Sequence, residues 1–215
     1  FVSGFVFFLL ELVWYRMLGP LLGGSSYTFG LILSVALVGI GAGSATYSFW
    51  LGRQPATVSR FGYTCAFEAL CVLVPFALGD RVAVLALLLR PLSAVGFWGG
   101  VGAWTVVAFV VVFPAAFVSG LQFPMLIGLF GRGSKGIGAH VGTAYVANTI
   151  GAILGSLAGG FGFLPWLSAT GCWRLVGASL IVTALAAFVL ALRAGSSARS
   201  LVLGFLVTAL AFAAV

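Results

Sequence analysis

Residues Gly142–Pro165 read GTAYVANTIGAILGSLAGGFGFLP, and this stretch decides the fold class. No charge interrupts it. At ~1.5 Å per residue, about 20 helical residues cross the ~30 Å hydrocarbon core of a bilayer. Gly151, Gly155 and Gly159 recur at every fourth position and so form one stripe without side chains. Such a stripe lets a second helix approach backbone to backbone. Asn148 lies one turn ahead of it, a polar amide that lipid penalises. The segment reads as a helix held inside a bundle, with the other helices arranged around it.

The whole chain agrees with that reading. Of its 215 residues 62% are hydrophobic and 6% charged, with only three acids, too few charges to clothe a water-facing surface. Long continuous apolar runs, rather than alternating segments of about ten residues, exclude a transmembrane β-barrel. The net charge of +7 is scattered one or two residues per loop, which fits topology signals and not a nucleic-acid patch. Cys65, Cys71 and Cys172 sit in apolar runs without metal-type spacing and read as small core residues. The fold class is an all-α polytopic transmembrane bundle. The glycines of the second span with Gly52-Arg53 resemble the basic second-to-third-span loop of major facilitator transporters, which implies one half of such a transporter. The bundle has six full spans within residues 1–192 and a partial seventh within 193–215.

The spans are Phe1–Leu18, Tyr27–Leu51, Phe61–Leu78, Phe97 to at least Phe117, Gly142–Pro165 and Cys172–Leu192. Gly19-Pro20 ends the first, and Pro114 predicts a kink in the fourth. Gly39, Gly41 and Gly43 give the second span its own stripe. Residues 80–95 are apolar but short and contain Arg90-Pro91, which predicts an interfacial or re-entrant segment. Phe1 lies inside an apolar run, and the final run from Leu201 is short of a crossing, so both ends read as cut from a longer protein. The opening run has no basic start and carries Glu11 and Arg16, unlike a signal peptide.

If 80–95 does not cross, Arg53, Arg60, Arg132, Lys135, Arg193 and Arg199 share one side, six of ten basic residues. The positive-inside rule makes that side and the N-terminus cytoplasmic, in a multi-pass protein of the cell inner membrane. Trp50, Trp98, Trp166 and Trp173 fall near span ends, as an aromatic belt requires. The second and fifth spans both carry glycine stripes followed by Trp-Leu pairs. Three spans per repeat is an odd number, so the echo predicts inverted repeats.

Glu11 and Glu68 are the carboxylates within spans. An intramembrane acid costs about 2.5–3.5 kcal/mol on insertion scales and normally has a partner. Together they form a candidate site for a cation or a proton. Alternatively Glu11 pairs with Arg16 or Tyr15, and Glu68 accepts a hydrogen bond from a neighbouring helix. Tyr145, Asn148, Thr149, Gln122 and Arg16 read as a polar bundle core, and Gly39, Gly43, Gly151, Gly155 and Gly159 as packing positions. His140, at a predicted cytoplasmic end, reads as solvated. The sequence has no phosphate loop, dinucleotide fingerprint, metal spacing or nucleophile set, and so predicts no catalytic residue, metal or cofactor.

Three pieces carry a family resemblance: Glu11–Arg16 ahead of Gly24-Ser25-Ser26, Pro114–Pro124, and Gly142–Gly151 with its Tyr145-x-x-Asn148-Thr149-x-Gly151 element. Together they resemble the membrane domain of bacterial fused spermidine synthase-like proteins. The resemblance spans about Phe1 to Leu192. It implies a cytosolic aminopropyltransferase domain, binding decarboxylated S-adenosylmethionine and a diamine, which these residues do not contain. With the two intramembrane acids it implies a membrane module that anchors such an enzyme or moves polyamine-like cations. The absence of a chemical motif and the extensive small-residue helix surfaces give the alternative, a non-catalytic accessory subunit of a larger membrane complex. The implied partners are the lipid bilayer, a fused soluble domain or larger complex, and a polyamine. Nucleic acid is not among them.

Overall fold

The structure, a computed structural model, describes residues 1–130, 137–196 and 198–213, and every regular element in them is helical. The helices are α1 (Val2–Leu18), α2 (Ser26–Phe49), α3 (Val58–Leu78), α4 (Asp80–Leu89), α5 (Phe97–Phe130), α6 (Ile137–Ala158), α7 (Leu164–Arg193) and α8 (Ala198–Ala213). Arg132 and Lys135, counted above as loop charges, lie outside the described residues, as does the side chain of Arg199.

Local sequence explains where the helices begin and end. Ser25 caps α2 by accepting from the Thr28 amide, while the Thr28 hydroxyl donates to the Leu22 carbonyl at 2.8 Å. Thr57 caps α3 in the same way, accepting from the Arg60 amide at 3.2 Å. Gly79 (φ 45°) and Gly96 (φ 108°) bracket α4 and the 3-10 turn Arg90–Val95. Both take backbone angles that a side chain disfavours, so the chain can bend sharply on either side of α4.

Four helical runs are long and apolar enough to cross a membrane: Ser26–Arg53, Val58–Leu78, Phe97–Phe130 and Gly138–Arg193. The chain therefore fits a membrane protein, with boundaries that differ from the sequence reading. The first helix has 17 residues, or ~25 Å, slightly under a full crossing. Helix α5 continues through Pro114 and Pro124 for 34 residues, so the segment after Phe117 belongs to it.

The predicted fifth and sixth spans form one run of 56 residues, Gly138–Arg193, far too long for a single crossing. Pro165 does not end it. The π-turn Gly159–Phe163 just before widens the ladder, easing the clash a proline makes with the carbonyl four residues back. The break comes at Ser168, with φ 62° and ψ 174°.

Contacts between named residues fix the helix directions. Gly39 of α2 abuts the backbone of Phe113 and Phe117 in α5, Gly43 abuts Phe117 and Gly120, and Tyr47 reaches Gly128. Residue numbers rise together, so α2 and α5 run parallel. Helices α1 and α6 do the same, with Gly151 against Phe1, Gly155 against Phe5 and Gly159 against Leu9. Helices α3 and α7 are antiparallel, since Gly62 meets Phe188 and Leu73 meets Gly177. The Trp173 indole N–H, donating to the Val72 carbonyl at 2.9 Å, fastens the same pair.

Helix α5 begins beside the α1–α2 turn, with Trp104 near Gly23, and ends beside Ala56, where α3 is about to start. It is therefore antiparallel to both α1 and α3. The arms on either side of Ser168 consequently point in opposite directions. Segment 80–95 stays at one end, under the start of α5: Ser93 lies against Gly100, and the ten-residue α4 is only ~15 Å long. That end carries Arg16, Arg81, Arg90 and Arg174, while Arg53, Arg60 and Arg193 sit at the other.

The two parallel pairs correspond residue by residue. Phe1, Phe5, Gly39 and Gly43 precede Phe113, Phe117, Gly151 and Gly155 by one and the same interval. In each pair two glycines lie on the backbone at two phenylalanines. Exchanging the halves turns α2 on α5 into α6 on α1 and maps the α3–α7 pair onto itself. This is the contact pattern that a three-helix inverted repeat produces.

One expectation is corrected. The Gly142–Pro165 helix is at the edge of the bundle and not at its centre. Its glycines bury a single side against α1, while Tyr145, Val146, Ile150, Ile153 and Leu157 are exposed. A glycine stripe serves one close neighbour, and here the bulky residues leave the other sides open. The centre is built from α1, α3, α5 and α7, where Leu10, Val13, Trp14, Leu73, Ala108, Val112 and Val176 are fully buried.

Gly43 and Gly41 test the packing against each other. A Cβ on Gly43 would strike the Phe117 backbone, whereas one on Gly41 would meet nothing. Gly43→Val should therefore destabilise the bundle by about 1–3 kcal/mol, and Gly41→Ala should leave it nearly unchanged. Thermal unfolding in detergent measures both; equal melting temperatures would contradict the α2–α5 contact.

Candidate functional site

The chemistry-bearing feature at the centre is a polar cluster joining α3 to α5. Glu68 is 2% exposed and Gln122 1%, and the Gln122 amide donates to Glu68 Oε2 at 2.5 Å. Ser119 is also buried and lies close to the carboxyl group. Ser119 and Gln122 are three residues apart, on one face of α5 between its two prolines. One turn to either side of Glu68 are Cys65, which is buried, and Cys71, which is half-buried; both are free thiols.

The backbone around this cluster is held closely. Gly120, between its two α5 members, touches the Ile40 backbone, and the Ser44 hydroxyl donates to the Gly120 carbonyl at 2.9 Å. Helix α2 therefore sets the position of the α5 segment that satisfies Glu68. A carboxyl group deprived of water needs such partners, because an unmatched buried polar group costs about 1–3 kcal/mol or more.

Glu11 is placed differently. It is half-buried on α1, and α1 does not pack against α3; both helices contact α5 and α7 instead. The two acids are not brought into a shared cavity. Arg16 is exposed and lines a pocket of about 460 Å³ with Ser168 and Ala169, and the Tyr15 ring packs edge-on against Phe29.

The predicted polar bundle core divides in the same way. Gln122 is buried as a core residue. Tyr145 is 60% exposed, with its ring edge-on to Phe123 at 5.2 Å, and Thr149 is exposed. Asn148 is half-buried, its backbone carbonyl against Gly4, and it lines a cavity of about 390 Å³ with His140, Phe1 and Phe123. Tyr145, Thr149 and Arg16 are thus corrected to surface positions, because α6 and the end of α1 lie at the rim.

The packing glycines Gly39, Gly43, Gly151, Gly155 and Gly159 are all buried at helix contacts. Sequence reasoning missed Ser119 as a neighbour of Glu68. The signal was its helical spacing from Gln122, the only other polar group in that stretch of α5. Among the described residues no group of three His, Cys, Asp or Glu side chains converges as a metal site would require.

Comparison with protein-family models, with curated proteins and with solved structures found no match.

Replacing Glu68 by Gln keeps an acceptor for the Gln122 amide and should preserve most of the stability. Gln122→Leu removes the donor and leaves the carboxyl group short of a partner, with an expected loss of about 1–3 kcal/mol. Reversible unfolding in mixed detergent, as a double-mutant cycle of Glu68→Leu with Gln122→Leu, each of which removes the contact, should return a coupling of roughly 0.5–2 kcal/mol. A coupling near zero would contradict the contact.

Proposed function

We propose that the chain is the membrane-embedded anchoring module of a larger protein or assembly. It crosses the inner membrane six times with its N-terminus in the cytoplasm, and does not conduct cations through Glu68. The observation carrying this reading is the burial of Glu68 together with its hydrogen bond from Gln122. A cation-binding acid must offer free oxygen lone pairs to a water-filled cavity, and this one is committed to neighbours within the bundle. It does not line any of the three cavities lined by Trp104, Asn148 or Arg16.

The six-crossing topology draws support from the alternating helix directions and from the reversal at Ser168. Kinship with spermidine synthase-like proteins rests on the Glu11–Arg16, Pro114–Pro124 and Tyr145–Gly151 motifs. On that reading the anchored partner is a cytosolic aminopropyltransferase.

A second reading, an accessory subunit docked laterally to a membrane complex, is favoured by the open face of α6. Tyr145 and Thr149 place hydroxyl groups on that face, which protein receives better than lipid does.

Proteoliposome uptake separates anchoring from transport. Spermidine entry should equal that of protein-free vesicles for both the wild type and Glu68→Gln. Saturable uptake abolished by Glu68→Gln would overturn the anchoring proposal. Purification in mild detergent should also recover a stoichiometric partner or an attached soluble domain.

A further inference from the structure

Apart from Glu68, the end carrying Arg81 and Arg90 holds a cavity of about 470 Å³. Its wall on one side is Ala103, Trp104 and Val107 of α5, and on the other Ala86 and Leu87 of α4, with Arg90 among the lining residues. The volume falls within the range of small-molecule sites, which are mostly apolar with a few polar groups that fix orientation. Its polar side chains are mainly donors. Arg90 is exposed, and its guanidinium has no acceptor among the described residues. The Trp104 indole N–H has none there either. The one hydroxyl of the lining, on Ser93, donates to the Arg90 carbonyl at 2.7 Å. No carboxylate lines the cavity.

An apolar chamber whose charged group is a guanidinium complements one kind of ligand: an apolar chain ending in an anion. The position suits it. Helix α4 is a short helix lying at the end of the bundle, its half-buried face, Val82, Leu85, Ala86 and Leu89, resting on the core and its arginines exposed. A site roofed by a helix of that kind opens at the level where lipid head groups meet acyl chains. Guanidinium groups bind carboxylate and phosphate through paired hydrogen bonds, so either head group fits the charge.

We propose that this cavity binds an anionic amphiphile, with its acyl chain between α4 and α5 and its carboxylate or phosphate on Arg90. The head group has two sources, a free fatty acid or an anionic phospholipid.

Photo-crosslinking of the full chain in nanodiscs tests the site, using diazirine-bearing palmitate, its methyl ester, and diazirine-bearing phosphatidylglycerol. Peptides holding Ala86 and Trp104 should be labelled by at least one of the two acidic probes, and whichever labels identifies the source. Ala86→Phe, which fills the chamber, should cut that labelling about tenfold, as expected for loss of an apolar site. Arg90→Gln should cut it by a similar factor for the acidic probes and leave the methyl ester unaffected. Both variants should melt like the wild type, since Arg90 is exposed and half-buried Ala86 has the cavity beside it to receive a larger side chain. Labelling spread evenly over the lipid-facing helices, or surviving both substitutions, would overturn the proposal. Equal labelling by palmitate and its methyl ester would overturn the anionic requirement.

Discussion

Close approach of helix backbones at glycine is the contact on which this bundle depends. At Gly43 and Gly155 the neighbouring carbonyl groups of Phe117 and Phe5 occupy the space a Cβ would need. Lipid tails are as apolar as leucine, so burial of apolar surface gives helices little reason to associate inside a membrane. Van der Waals contact over a smooth surface supplies it instead. Two such seams, α2 on α5 and α1 on α6, hold the helices whose sequences would otherwise be among the least distinctive in the chain.

Both seams are parallel, and this governs the topology. Consecutive helices joined by a short loop run antiparallel, so a parallel pair must be separated by an even number of reversals. Between α2 and α5 those reversals are the loop around Arg53 and the α4 segment. Were residues 80–95 a crossing, α5 would run against α2 and Gly39 could not follow Phe113 as Gly43 follows Phe117. The third pair, α3 with α7, is antiparallel and carries one directional bond, from Trp173 to Val72; a second, from Gln122 to Glu68, ties α5 to α3. Close packing thus positions the helices, and a few polar contacts fix their register.

Much of this was legible in the sequence, for identifiable reasons. The all-helical class followed from composition and from uninterrupted apolar runs, and the glycine stripes named their own contact faces. The breaks were less legible. Pro165 reads as the end of a span, yet it lies within continuous helix, because the π-turn before it accommodates what a lone helix could not. The break at Ser168 depends on one residue in a left-handed conformation, which nothing in its side chain announces. The α6 stripe announces a partner but not how many, so the sequence points to a central helix where the structure has one at the rim. Of the site, Glu68 and Gln122 were each visible as polar residues in apolar runs. Their pairing was not, since it requires knowing that α3 lies against α5.

A chain that reverses through residues 80–95 without crossing leaves its two loop ends on opposite sides, and single cysteines read this out. With Cys65, Cys71 and Cys172 replaced, a cysteine is placed at Gln54, Ser93 or Ser196 and treated with a membrane-impermeant maleimide before and after the membrane is opened. The account predicts that Ser93 reacts from the side opposite to Gln54 and Ser196, which react alike. Labelling of Ser93 from the same side as Gln54 would contradict it.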